Sequence, residues 1–108
     1  FPTRRSSDLV VEQVAAALPE GAGLGYYRTA VGAEVDLVVE HRGHRFGVEI
    51  KFASDPRPAR GFWQAMQDLA LKRACVVAPV SRAYPLSPQV QVVPPLALDA
   101  SLAALFDD

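Results

Sequence analysis

Asp36, Glu49 and Lys51 carry the chemistry in "EVDLVVEHRGHRFGVEIKF", residues 34–52. Side chains alternate along a strand. If 34–41 and 44–52 are the arms of a hairpin, Glu34 and Asp36 share one face of the first arm, and Glu49 and Lys51 share one face of the second. A two-residue turn at Arg42-Gly43, or a four-residue loop over 41–44, sets Asp36 opposite Glu49 and Glu34 opposite Lys51. A three-residue loop without a bulge would instead oppose Asp36 to Val48. Directly opposed residues carry Cβ atoms about 4.5–5.5 Å apart, and like charges there repel. Something positive between them removes the conflict: a divalent cation, a shared proton or a lysine. Mg²⁺ commonly takes one or two protein carboxylates and completes its octahedron with water and substrate phosphates. Lys51, about 6.6 Å along the strand from Glu49, would orient or deprotonate a water or stabilise a phosphorane-like transition state. The plainer alternative is a wet strand face with an ordinary Glu34–Lys51 ion pair worth under about 1 kcal/mol. That alternative leaves the facing acids unexplained.

The elements must hold these residues in place. Val35, Leu37 and Val39 form the apolar face of one arm; Phe46, Val48, Ile50 and Phe52 form that of the other. Burial of such side chains is worth roughly 1.5–3 kcal/mol each, and a one-residue slip would turn the charges inward. Upstream, the spacing of Val10, Val11, Val14, Ala17 and Leu18 predicts a helix over 10–18, ended by Pro19 and Gly21. Residues 25–31, "GYYRTAV", are β-prone. A turn over 54–58 leads to a helix over 58–73, with Pro58 in its first turn. Phe62, Ala65, Met66, Leu69 and Ala70 line its apolar face, and Lys72 and Arg73 suit its C-terminal dipole. Residues 74–80 read as a buried strand, 81–88 as a Pro-rich connection, 90–93 as a short strand and 99–106 as a terminal helix. The predicted order is αβββαββα.

The chain has 108 residues, 50% of them hydrophobic, which suits one compact domain. Its net charge of −1 excludes a strongly basic footprint, so nucleic acid would have to be held at a local patch. A single cysteine, Cys75, excludes an internal disulfide and fits a reducing, cytoplasmic setting. No apolar run reaches the ~20 residues that span a bilayer, so no membrane contact is expected. No GxxxxGK phosphate loop is present, so this chain alone is not expected to hydrolyse ATP. Residues 3–9, Thr3 to Leu9, can be encoded by ACA CGA CGC TCT TCC GAT CT, which resembles the end of a short-read sequencing adapter. The expectation is therefore a non-native segment at 1–9, joined to a single domain at 10–108 that is the C-terminal fragment of a longer protein.

Asp36 followed by Glu49-x-Lys51, on the second and third strands of an αβββαβ order, resembles the PD-(D/E)XK nuclease-like superfamily. The resemblance implies an α/β, restriction-endonuclease-like core with a mixed sheet flanked by helices. It also implies Mg²⁺ or Mn²⁺ on Asp36 and Glu49, Lys51 as the catalytic lysine, and phosphodiester hydrolysis of DNA or RNA. A narrower likeness lies in "YYRTAVGAEVDLVVE", "FGVEIKFA" and "VQVVPPLAL", within residues 25–98. Together they resemble domain of unknown function 4143, found C-terminal to many bacterial and archaeal AAA-type ATPases. That likeness implies a missing N-terminal ATPase domain as partner. Such domains also persist without activity, so a regulatory or partner-binding module of the ATPase is the alternative.

Four further residues are accessory candidates. Glu12 on the first helix would be an additional acid, and Gln64 would match a glutamine that some relatives carry after the motif. Arg28 would meet a phosphate, or pair with Glu34 or another acid of the sheet. His41 and His44 flank the turn without a third ligand nearby and are expected to be exposed. Trp63 is expected at the core edge and Cys75 as inert packing.

Overall fold

The computed structural model describes residues 4–107. Its elements are α1 (Arg4–Ala17), β1 (Gly23–Arg28), β2 (Glu34–His41), β3 (His44–Ile50), α2 (Arg60–Asp68), β4 (Arg73–Val77), β5 (Tyr84–Ser87), β6 (Val90–Val93), a 3₁₀ turn (Pro95–Ala97) and α3 (Leu98–Phe106). The strands form one six-stranded sheet in the order β1-β2-β3-β4-β6-β5. β1, β2 and β3 pair antiparallel, β3, β4 and β6 run parallel, and β5 closes the far edge antiparallel to β6. The chain is thus an α/β domain with a mixed sheet flanked by helices, as expected.

Both faces of the sheet are covered. On one side Val10 and Val14 of α1, with Leu98, Leu102, Leu105 and Phe106 of α3, pack against Leu37, Val39, Phe46, Val48, Cys75, Val77 and Val93. On the other, Phe62, Ala65 and Met66 of α2 meet Val35, Val38, Ala74, Val76, Val90 and Val92. Two-sided cover explains the near-continuous apolar runs of β4 and β6, the pattern of parallel strands.

The hairpin turn is the expected two-residue one. Arg42 and Gly43 both have positive φ, 52° and 78°, as a type I′ turn requires. His41 faces His44, Val39 faces Phe46 and Leu37 faces Val48, so the register read from turn length and apolar pattern holds from the turn to Leu37.

Four features differ from expectation. Helix α1 begins at Arg4 rather than Val10, because nothing from Arg4 to Leu9 breaks a helix. Helix α2 is shorter than 58–73, and Pro58 lies before its N-cap, Ala59. It ends in a Schellman motif: Ala70 N–H donates to the Gln67 carbonyl at 3.1 Å and Leu71 N–H to that of Met66 at 3.0 Å. Ala70 takes the left-handed position, φ 51°, so Lys72 falls in the bend before β4 and Arg73 opens that strand. Strand β1 stops at Arg28, where Thr29 closes a turn: its N–H reaches the Ala33 carbonyl and its hydroxyl accepts from Ala33 N–H, at 2.8 and 3.0 Å. Finally, Tyr84–Ser87 of the Pro-rich connection forms edge strand β5, a place where proline is tolerated because one row of N–H groups has no ladder partner. Among the described residues no helix is long and apolar enough to cross a membrane.

Candidate functional site

The acidic pair sits where the β2–β3 ladder opens. On the β1 side, Gly25 faces Val38 but Tyr27 faces Val35, so Tyr26 alone opposes both Asp36 and Leu37. That is a β-bulge in β2, a feature that re-aims side chains and ends pairing. Its first effect is on Val35, which joins Val38 on the α2 face instead of Leu37 and Val39. The expectation that Val35, Leu37 and Val39 share one face is corrected accordingly: strict alternation fails across the extra residue. Phe52, expected on the apolar face, lies beyond β3 and is 38% exposed.

Past Leu37–Val48 the backbone ladder gives way to side chains. Hydrogen-bonded pairs recur at every second position of an antiparallel ladder, so Ile50 N–H would next have bonded the Val35 carbonyl. Instead it donates to Asp36 Oδ2 at 2.8 Å. Reciprocally, Asp36 N–H donates to Glu49 Oε1 at 3.0 Å. Each acid thus holds the backbone at or beside the other, and Lys51 N–H turns to β4, donating to the Val77 carbonyl at 2.9 Å.

Glu49 is the one charged side chain that is buried among the described residues, at 5% exposure. Burial, then the neighbouring Asp36 carboxylate, push its carboxyl up to about 7, against the pull of Asp36 N–H and Lys51. Lys51 Nζ lies 3.8 Å from Glu49 Oε2 and is one-third exposed. The lysine therefore pairs with Glu49, not with Glu34. Glu34 is taken by Arg28, whose Nε is 3.1 Å from Oε2 in an exposed pair. Of the candidates, the structure brings Asp36, Glu49 and Lys51 together.

The other accessory candidates lie elsewhere. Gln64 donates to Asp68 Oδ1 at 2.9 Å, and Asp68 Oδ2 accepts from the Tyr27 hydroxyl at 3.2 Å. These contacts tie α2 to β1. Glu12 is exposed on α1; it is its neighbour Gln13 that lines a cavity of about 340 Å³ beside Lys51. Trp63, expected at the core edge, is 36% exposed and stacks edge-on against Phe62. Cys75 is buried, and burial pushes its thiol up to about 12, which suits inert packing.

Sequence reasoning missed two supporting residues. Gly61 admits α2 against the β1–β2 turn: a Cβ there would lie 1.9 Å from the Gly32 carbonyl oxygen. The Gly32-to-Gly61 approach has no signal beyond the two glycines. Gly47 similarly leaves room for Leu71, whose Cδ1 would be 2.8 Å from an added Cβ.

Two hard carboxylates, one buried and charge-stressed, fit Mg²⁺, which keeps several waters and needs few protein ligands. Among the described residues no group of three or more His, Cys, Asp or Glu gathers as a metal cage. A softer or fully protein-ligated ion does not fit the pair.

Fold and site together define a mixed-sheet α/β domain with a carboxylate pair and lysine at the carboxyl end of a central strand. The chain belongs to the family described as domain of unknown function DUF4143, whose model matches residues 8–98. It is 44% identical over 85 residues to the uncharacterized protein Rv2008c of Mycobacterium tuberculosis, and likewise to the uncharacterized protein Mb2031c of Mycobacterium bovis. Each alignment covers 79% of this chain and 19% of the relative, so the chain spans about a fifth of the length of these curated relatives. No solved structure matches it significantly.

Proposed function

We propose that this domain is a PD-(D/E)XK-type nuclease module that hydrolyses phosphodiester bonds of DNA or RNA with Mg²⁺ or Mn²⁺. The observation that carries the reading is that, where the ladder opens, Asp36 accepts from Ile50 N–H and Glu49 from Asp36 N–H, with Lys51 Nζ 3.8 Å from the buried acid. Ordinary sheet design avoids opposed carboxylates, and here they meet beside a bulge in β2 where the ladder opens. Asp36 and Glu49 would hold the ion, which supplies Lewis-acid polarisation of the phosphate and a more acidic bound water. Both acids are fixed by backbone N–H groups, so little reorganisation is left for the reaction. Lys51, tethered by Glu49, orients the attacking water and offsets charge developing on the phosphoryl oxygens. Glu49 holds a proton below a pH of about 7, so cation affinity falls as acidity rises. By resemblance, we propose an AAA-type ATPase as the companion of this domain within a longer bacterial protein, acting in the cytoplasm.

A second reading is supported by the same hydrogen bonds. Asp36 and Glu49 each accept a backbone N–H, so the pair also serves as a structural clasp in a regulatory or partner-binding module.

Calorimetric titration of Mg²⁺ and Mn²⁺ into the wild type and Asp36→Asn decides the first step. The nuclease reading expects tighter binding to the wild type, followed by metal-dependent cleavage of single- or double-stranded DNA or RNA. Equal binding by the two proteins overturns it, and binding without cleavage favours the partner module.

A further inference from the structure

The cavity of about 340 Å³ beside Lys51 lies at the carboxyl ends of the three parallel strands, β3, β4 and β6. Ligands of open α/β sheets bind at that end, and the volume falls within the roughly 300–1,000 Å³ of small-molecule pockets. Its apolar walls include Leu9 and Val10 of α1, Ile50, Phe52 and Val77, with Lys51 and Gln13 also lining it; Gln13 Nε2 donates one N–H to Asp99 Oδ1 at 3.5 Å. Phe52, 38% exposed, follows Lys51 directly in the chain. An aromatic ring, an apolar wall, an amide able to donate and accept and an adjoining ammonium match a nucleotide: base on the ring, phosphate toward the lysine.

We infer that this cavity receives an unpaired base next to the phosphate at the Asp36–Glu49–Lys51 site, so the substrate is single-stranded nucleic acid rather than intact duplex. The inference rests on the nuclease reading for the phosphate and adds the base contact. A base enters such a cavity only by leaving its stack, which is easiest in a single strand. Charge points the same way. Duplex binding draws on many phosphate contacts by Lys and Arg, whereas this chain carries a net charge of −1. Base stacking on an aromatic side chain adds to the phosphate contacts of a single strand and tolerates any sequence, so fewer basic residues are needed.

The test is fluorescence anisotropy of labelled dT₁₀, rU₁₀ and a 10-base-pair duplex with the 108-residue chain, with Ca²⁺ in the buffer, alongside Mn²⁺-dependent cleavage of a longer single strand. The wild type is expected to bind the single strands more tightly than the duplex. Phe52→Ala should weaken single-strand binding about tenfold, Phe52→Tyr should restore it, and both should melt like the wild type. The dT₁₀ and rU₁₀ arms distinguish DNA from RNA, and preference for either upholds the base contact. Unchanged affinity or cleavage in Phe52→Ala, or preference for the duplex, overturns the inference while leaving the nuclease reading standing. Single-strand binding that depends on Phe52, without cleavage by the wild type, upholds the base contact and overturns the hydrolytic reading. Absence of binding to every probe overturns the inference.

Discussion

Replacing Glu49 with Gln tests the electrostatics of the site without changing its shape. The carboxyl is raised from 4.5 to about 7, and each unit corresponds to about 1.4 kcal/mol, so the shift is worth about 3 kcal/mol. The sign follows from linkage. Between those two values the folded chain keeps a proton that the unfolded chain has released, so metal-free stability falls as pH rises. Below about 4.5 the penalty is absent; above about 7 it is complete. Glutamine keeps an acceptor for Asp36 N–H at the Oε1 position, 3.0 Å away in the wild type, and carries no charge to repel the Asp36 carboxylate. Urea denaturation in EDTA at pH 4.5 and 8 should therefore show the Glu49→Gln advantage over the wild type growing by about 3 kcal/mol. Taking the difference between the two proteins cancels other titrating groups. Mg²⁺ at pH 8 should then restore the wild type by about 2.7 kcal/mol at a hundred times its Kd and leave the variant unmoved. A Glu49→Gln difference that is flat with pH would refute the reasoning, because Glu49 would then titrate as a solvated carboxylate.

Three other outcomes are expected. Lys51→Ala should lower single-turnover cleavage by roughly 100-fold or more while calorimetry still detects the cation, since the lysine pairs with Glu49 but is not a metal ligand. Gly61→Ala should lose about 2 kcal/mol or more in urea denaturation, because its methyl would press on the Gly32 carbonyl 1.9 Å away. Ala70→Gly should gain up to about 1 kcal/mol by relieving the left-handed φ of 51° that closes α2, read as a higher melting temperature at unchanged cleavage.

The sequence displayed the hairpin well because two independent signals agreed there. Arg42-Gly43 named the turn, and Leu37, Val39, Phe46 and Val48 set the register. The meeting of Asp36 with Glu49 followed from that register, although the contact is made through each other's backbone surroundings rather than as a facing pair in a ladder. What alternation could not carry was the bulge, because an extra residue in β2 is defined only against β1. Strict alternation puts Val35 on the wrong face for that reason. Strand β5 was hidden by Pro85, a residue that argues against strand in general but not at an edge. Helical spacing runs past the true end of α2 because Ala70 holds a position that glycine usually marks. The burial of Glu49 was also invisible in the hairpin alone, since it requires the covered sheet around β3 and β4.

That last dependence separates two things that active sites usually confound. The positions of both acids are written in one contiguous hairpin, Asp36 bonding Ile50 and Glu49 bonding Asp36. The proton affinity of Glu49 comes first from burial and then from Asp36, and Glu49 lies beside Val76 of β4, which follows the hairpin. Nascent chain ending just after Lys51 would already contain both acids, but not the β4 that flanks Glu49. Geometry and proton affinity are thus written in different stretches of the chain, the first in the hairpin and the second in part in the β4 that follows it.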